Sequence, residues 1–314
     1  MSDLQQPHFQ DPEKAREYLE ALRWPEGPTC PHCGGTERIH RMKGKATRPG
    51  LLKCGDCRKQ FTVTVGTVFE RSKIGLHKWL LATYLLCASK KGISSHQLHR
   101  MLGVTYKTAW FMSHRIREAM REPFDGPMGS GGEIIEADET YIGGKFKNKS
   151  KKERRRATES GNRRAGSQHM ESVVTLVERG GRARSFHVER VNMRTLRSIL
   201  WHQLSPRATL MTDDASHYKA IGRGFNRHES VNHTADEYVR GDAHSNSVES
   251  YFALLKRGLG GIYQHVSSDH LKRYLAEFDF RYTHRNIEDA ERADEALRGI
   301  EGKRLTYAQP SAGA

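Results

Sequence analysis

The chain has 314 residues, enough for two or three domains, and 36% of them are hydrophobic, enough for buried cores. Its formal net charge of +15 at pH 7 points to a polyanionic partner, nucleic acid first, because neutralised phosphates release their counterions. No run of about 18 apolar residues occurs, which excludes a membrane-spanning helix, and the polar start MSDLQQPHFQ lacks an apolar signal core, so a cytoplasmic setting is expected.

In chain order, Asp11 and Pro12 have the pattern of a helix cap and first turn, with Ala15, Tyr18, Leu19 and Leu22 on one face and Pro25 as the stop. Two C-x₂-C pairs follow, Cys30–Cys33 and Cys54–Cys57, separated by residues 34–53. That spacing fits a zinc ribbon, in which four thiolates at the tips of two tight turns close a tetrahedron. His32 is an alternative ligand, poorly placed inside a knuckle. Disulfides are disfavoured in a reducing compartment. FTVTVGTVF (61–69) is expected to be the strand that completes the ribbon, and Arg41, Lys43, Lys45 and Arg48 in the intervening loop are available to phosphates. Cys87 shares a helical face with Leu76, Trp79, Leu80, Thr83 and Tyr84 and is expected to be a core residue.

Residues 93–120 have the rhythm of a helix-turn-helix. Ser94 or Ser95 starts a helix carrying Leu98 and Met101, Gly103 makes the turn, and Thr105 caps the second helix. There Ala109, Met112, Ile116 and Met120 point inward, leaving Tyr106, Lys107, Arg115 and Arg117 outside, where such a helix contacts DNA. A glycine- and proline-rich linker, residues 121–132, precedes a change of composition. EIIEADETYIGG (133–144) is expected to be a short strand with Asp138 near its end. Residues 145–165 form a basic run without apolar periodicity, either disordered or an arm that orders on DNA.

Further on, ESVVTLVE and ARSFHVERV read as strands joined at residues 179–182, and 193–204 as a helix with Leu196, Ile199 and Leu200 inward. RATLMTDD (207–214) is a strand ending on Asp213 and Asp214. A short helix near 215–221 and a strand near 228–233 lead to HSNSVESYFALLKRGLGG (244–261). In that segment Ser245, Asn246 or Ser247 is the expected cap, Val248, Phe252 and Leu255 the buried stripe, and Gly258 to Gly261 the stop. Glu249 and Lys256, two turns apart, stack on a neighbouring stripe. A last helix spans 270–284, with Leu271, Tyr274, Leu275 and Phe278 inward, and nothing after about 290 suggests chemistry.

Three strands, a helix, a fourth strand, a helix, a fifth strand and a late helix is the order of a ribonuclease H-like α/β (α+β) fold with a mixed five-stranded sheet. In that order Asp138 and Asp213 project from adjacent strands and Glu249 is brought over them. Converging carboxylates in a basic protein need cations, and oxygen-only ligands suit Mg2+ or Mn2+ in phosphoryl transfer. The expected organisation is a helix and zinc ribbon in 1–70, a helix-turn-helix in 71–125, the catalytic domain in 126–290 and a tail in 291–314.

Asp138, Asp213 and Glu249, with residues 214–248 between the last two and Lys256 seven after the glutamate, resemble the DDE signature of transposases. LRWPEGPTCPHCG, EADETYIGGK, TDDASHYKAI and HSNSVESYFALLKRGLGGIYQHVSSDHLKRYLAEFDFRY extend the likeness across residues 11–286. Together they resemble bacterial insertion-sequence transposases with a zinc ribbon and an ISXO-type catalytic domain. The resemblance implies that Asp138, Asp213 and Glu249 ligate Mg2+ and act as catalytic acids. It implies too that Lys256 and Arg257 touch transposon-end DNA. Asp213 is preferred to Asp214 because it follows Thr212 in the family's Thr-Asp pattern. His244, Asn246 and His265 also fit the pattern, with capping and packing as their alternative roles. The family's closing Arg-Tyr-Asn-x-Arg reads Arg281-Tyr282-Thr283-His284-Arg285, which leaves position 283 open. The implied activity is cleavage at the inverted repeats of an insertion sequence and joining of the 3′ ends to target DNA by a homodimer or larger homo-oligomer associated with the nucleoid. A non-catalytic DNA-binding regulator derived from a transposase shares every feature except the need for the acids. A ribonuclease H-like nuclease shares the acids without needing the N-terminal half.

Overall fold

In a computed structural model, residues 3–143, 151, 155, 170–213, 216–231 and 246–306 are described. They belong to two compact units, one made of Met1–Glu122 with His284–Ala314, the other of Pro123–Thr283. The basic run 145–165 lies outside the described residues, apart from Lys151 and Arg155, and so do Asp214, His244 and Ser245.

In the first unit, α1 (Pro12–Arg23) begins as its sequence suggests: the Asp11 carboxylate accepts from the amides of Glu13 and Lys14. The ribbon is an antiparallel sheet of β1 (Ile39–Arg41), β2 (Leu52–Cys54) and β3 (Gln60–Phe61). The strand expected over 61–69 is thus cut to its first residue. Threonines supply the reason: the Thr67 hydroxyl donates to the Thr64 carbonyl (2.7 Å) and accepts from the Phe69 amide (3.1 Å). Such local bonds compete with a ladder, and Gly66 turns with φ +73°. Val63, Val68 and Phe69 are buried from turns instead.

Helix α2 (Leu76–Ala88) is apolar on most sides and buries Cys87, as expected. Ser94 caps α3 (Ser95–Leu102), Gly103 turns with φ +58°, and Thr105 caps α4 (Tyr106–Met120). Two details differ from the sequence expectation. Met101 is 48% exposed while Leu102, four residues after Leu98, takes the inward place. Arg115 and Arg117 are buried at 5% and 1% rather than displayed. Helix α4 packs against α2, α3 and a later helix, α9 (Asp289–Arg298), so it has less outer face than a two-helix motif would leave it. That later helix begins just ahead of what was expected as a tail and runs into it; Arg292 on it donates to the carbonyls of His284, Ile287 and Cys87.

The second unit is built on a five-stranded mixed sheet in the order β6-β5-β4-β7-β8. Its strands are β4 (Ile134–Ile142), β5 (Glu171–Glu178), β6 (Ala183–Val188), β7 (Thr209–Asp213) and β8 (Arg227–Val231). The first three pair antiparallel, β7 runs parallel to β4, and β8 parallel to β7. Helices α5 (Met193–Gln203) and α6 (Ser216–Gly222) cover one face over Ile135, Ala137, Val174, Leu176 and Leu210. Helices α7 (Asn246–Gly258) and α8 (Ser268–Thr283) cover the other over Val173, Val177 and Ala183. The period of two along a strand assigns every neighbouring residue to one of these faces.

Helix α7 departs from its expected ends. Gly258 does not stop it; a wide turn over Leu259–Tyr263 continues it until Gln264, where φ is +59°. Burial of Leu259 and a 2.5 Å bond from the Tyr263 hydroxyl to Glu277 hold that turn against the roughly 1 kcal/mol cost of a helical glycine. At the start, the amides of Ser247 and Val248 are taken by a carboxylate from β4, that of Glu136.

Candidate active site and metal centre

The four knuckle cysteines converge. Their Sγ atoms all lie within 4.8 Å of one another, with Cys30 to Cys57 at 3.6 Å and Cys33 to Cys54 at 3.7 Å, the crowding that a tetrahedral Zn2+ creates. Each knuckle turns in the same way. The residue after its second cysteine is left-handed, Gly34 at φ +76° and Arg58 at +61°. Burial works against ionisation of Cys30, yet the amides of His32 and Cys33 draw its thiol down to about 7. His32 is exposed and stands outside the cluster.

The expected acids come from three elements. Asp138 lies mid-strand in β4, not at its end, yet the ladder to β7 stops earlier, at Glu136↔Met211. Two residues further along each parallel strand come Asp138 and Asp213, level where the two strands cease to pair. Both share the α7 face, because Ile135, Ala137 and Leu210 occupy the opposite one. Glu249 is exposed on the first turn of α7. Burial above all, then the charges of Glu139, Asp213 and Glu249, push Asp138 up to about 7, against a 2.7 Å hydrogen bond from the Glu139 amide. Among the described residues, only the cysteine tetrad draws its ligand atoms within 4.8 Å; the three acids are neighbours in charge without forming so tight a cage.

Glu136 is the residue that sequence reasoning missed. Fully buried, its carboxylate accepts from the Ser247 amide (2.7 Å), the Val248 amide (3.0 Å), the Ser247 hydroxyl (3.0 Å) and Arg179 Nε (2.7 Å). An anion on the positive end of a helix, hydrogen-bonded to its free amides, is favourable on both counts. It ties the turn that carries Glu249 to the strand that carries Asp138. The only signal in the sequence was an acid at a strand position where an apolar residue belongs. Glu139, on the opposite face, accepts from the Tyr218 hydroxyl at 2.6 Å, and burial raises its carboxyl.

The remaining expected residues are scattered. Lys256 and Arg257 are exposed near the end of α7, where Arg257 Nε donates to the Ala253 carbonyl (2.9 Å). Tyr106 and Lys107 are exposed at the start of α4, Tyr106 stacked on His96 with ring centroids 4.3 Å apart. Arg115 is held inside by the Glu70 carbonyl (2.7 Å). In the ribbon loop Lys43, Lys45 and Arg48 are exposed, while Arg41 pairs with Glu20 at 2.7 Å. Asn246 and His265 are exposed. At the open position 283, the threonine hydroxyl accepts from the Ala183 amide at 3.3 Å, a bond that ties α8 to β6.

Comparison with known proteins meets this geometry at both centres. Residues 130–283 match the ISXO2-like transposase domain, and residues 10–60 match the transposase zinc-ribbon domain. An uncharacterized protein in transposable element ISH50 of Halobacterium salinarum is 30% identical over 281 residues, covering 87% of this chain and 91% of its own. The chain belongs to the ISXO2-like insertion-sequence transposases. In this transposase the matched domain coincides closely with the second unit, and the zinc-ribbon match contains all four cysteines. Among the described residues, no helix of the transposase is long and apolar enough to cross a membrane.

Proposed function

We propose that this transposase binds the terminal inverted repeats of its insertion sequence, cleaves at the 3′ ends and joins them to target DNA. Asp138, Asp213 and Glu249 are the catalytic acids. The observation that carries this is the placement of Asp138 and Asp213 on one sheet face, with Asp138 raised first by burial and then by the acids around it. An all-oxygen donor set with surplus negative charge fits Mg2+ or Mn2+, which supply charge neutralisation at the scissile phosphate and activation of the attacking oxygen. The protein's own part is positional. Register along β4 and β7 holds two acids level, and Glu136 fixes the start of α7 so that Glu249 faces them. Asp213 is preferred to Asp214 because it follows Thr212 in the Thr-Asp pattern and its charge reaches Asp138.

The zinc ribbon and helix-turn-helix, in segments 1–70 and 71–125, supply DNA recognition through Tyr106, Lys107 and the ribbon loop. Segment 126–290 supplies catalysis, with Lys256 and Arg257 touching the transposon ends. Two ends must be handled together, so the working form is a homodimer or larger assembly acting on nucleoid DNA. The test is incubation of the full chain with Mg2+ and labelled duplex carrying the element's inverted repeats, found by their position flanking the coding region. Nicking at the 3′ ends and strand joining are expected. Tight end binding without any cleavage would return the protein to the class of regulators derived from a transposase.

A further inference from the structure

Arg115 presents a problem of charge. It is 5% exposed, yet no carboxylate lies within 4 Å of its guanidinium among the described residues. One Nη donates to the Glu70 carbonyl, while Nε has no hydrogen-bond partner. The rings of Trp79 and Phe111 stand 5.3 and 5.4 Å from its central carbon. The nearby Glu70 carboxylate is engaged elsewhere, by the Gly66 amide at 3.0 Å and by Arg71 at 3.6 Å. A buried charge with no carboxylate in contact is costly, and burial followed by the like charge of Arg304 pulls Arg115 down to about 10, with the Glu70 charge offsetting this only in part.

The same guanidinium lines a cavity of 370 Å3 between the segment before α2 and helix α4. Arg71, Lys73 and Lys107 stand around it, and no acidic side chain lines it. The cavity shares Lys73, Ile74 and Thr108 with an open groove of 510 Å3 that passes Lys78 and reaches Gly103 and Thr105 at the start of α4. A basic channel that begins at an unsatisfied arginine and runs past the positive end of a helix suits a chain of regularly spaced anions.

We propose that this channel seats backbone phosphates of nucleic acid, one of them on Arg115, with Arg71, Lys73 and Lys107 at the rim. This deepens the DNA-binding part of the function proposed above and relies on it for the source of the phosphate. The planar fork of arginine accounts for the residue type, since it offers a phosphate paired donors that lysine does not.

The test is a salt titration of binding between the full chain and labelled duplex, followed by fluorescence anisotropy. Arg71→Ala and Lys73→Ala, both at the rim and outside the core, should each weaken binding alike for all sequences and flatten the slope of log affinity against log salt by about 1. Arg115→Lys should keep the charge and still weaken binding, with its unfolding midpoint measured alongside. Unchanged affinity and slope in both rim variants would overturn the seat, whatever Arg115→Lys does. Inorganic phosphate, compared with chloride at equal ionic strength, should displace the duplex more readily from the parent than from the rim variants; equal displacement from all of them would overturn the seat. Cleavage in Mg2+ is scored separately. A chain that cleaves with unchanged slopes loses this seat and keeps its function, whereas flattened slopes without cleavage keep the seat and remove the catalytic role.

Discussion

The zinc knuckles and the proposed acidic site gather their side chains by different means. The four thiols come from two short turns, one ahead of β1 and one between β2 and β3, and they close to within 4.8 Å. The acids come from two strands and a helix, 111 positions apart from first to last, and they stay looser. Local turns can build a complete cage. A distributed site depends on register, sheet face and helix docking, and each can be broken separately.

The largest effect is expected at the ribbon. Cys54→Ser, or chelation of zinc, should unfold roughly the first 70 residues, because metal-binding energy is folding energy in so small a sheet. Zinc content with limited proteolysis measures it, and a protease-resistant, zinc-free ribbon would refute it. Next come the acids: Asp138→Asn or Asp213→Asn should lower the rate of end cleavage about a thousandfold, equivalent to about 4 kcal/mol, with end binding retained. Asp214→Ala should be mild, and the reverse pattern would transfer the role to Asp214.

The same Asp138→Asn variant should be more stable than the parent at pH 8. Its carboxyl is raised from an ordinary 3.8 to about 7 in the folded state, so the native protein holds this proton more tightly than the unfolded chain. Stability from this group is therefore complete below about pH 4 and lost as pH climbs through 7, by at most about 4 kcal/mol. Urea unfolding at pH 4.5 and 8 should show a gain for Asn only at the higher value. Equal gains at both would point to packing instead of charge.

Glu136→Gln should cost about 2–3 kcal/mol, since an amide cannot accept from two helix amides, a hydroxyl and an arginine as a carboxylate does. Cleavage should fall while affinity for the ends is unchanged, which distinguishes displacement of Glu249 from general unfolding. The smallest effect belongs to the second knuckle: Arg58→Gly should stabilise the ribbon by about 0.5–1 kcal/mol by relieving its left-handed backbone. A loss of stability would show that the Arg58 side chain makes up for its own strain.

Much of this architecture was legible because its signals are short-range. Asp11 before Pro12, Ser94 and Thr105 before their helices, and the two C-x₂-C pairs each act within a few residues. The segment 61–69 misled because alternating valine and threonine looks like a strand, while the hydroxyls were satisfied within their own turn. Arg115 misled for the opposite reason: helical periodicity put it outside, and the packing of α4 on several sides brought it in. Asp214 and His244 lie outside the described residues.

By itself, the sequence determined the four cysteines of the ribbon, the order of strands and helices in the second unit, and which acids stand at matching separations. These follow from spacing, capping and periodicity, which act along the chain. Only the tertiary structure decided that Asp138 and Asp213 stand level, that Glu136 holds the helix of Glu249, and that Arg115 lines a basic cavity. Those facts depend on which residues distant in the chain share a face or a helix end, and on burial, which turns a charge into either an anchor or a binding site.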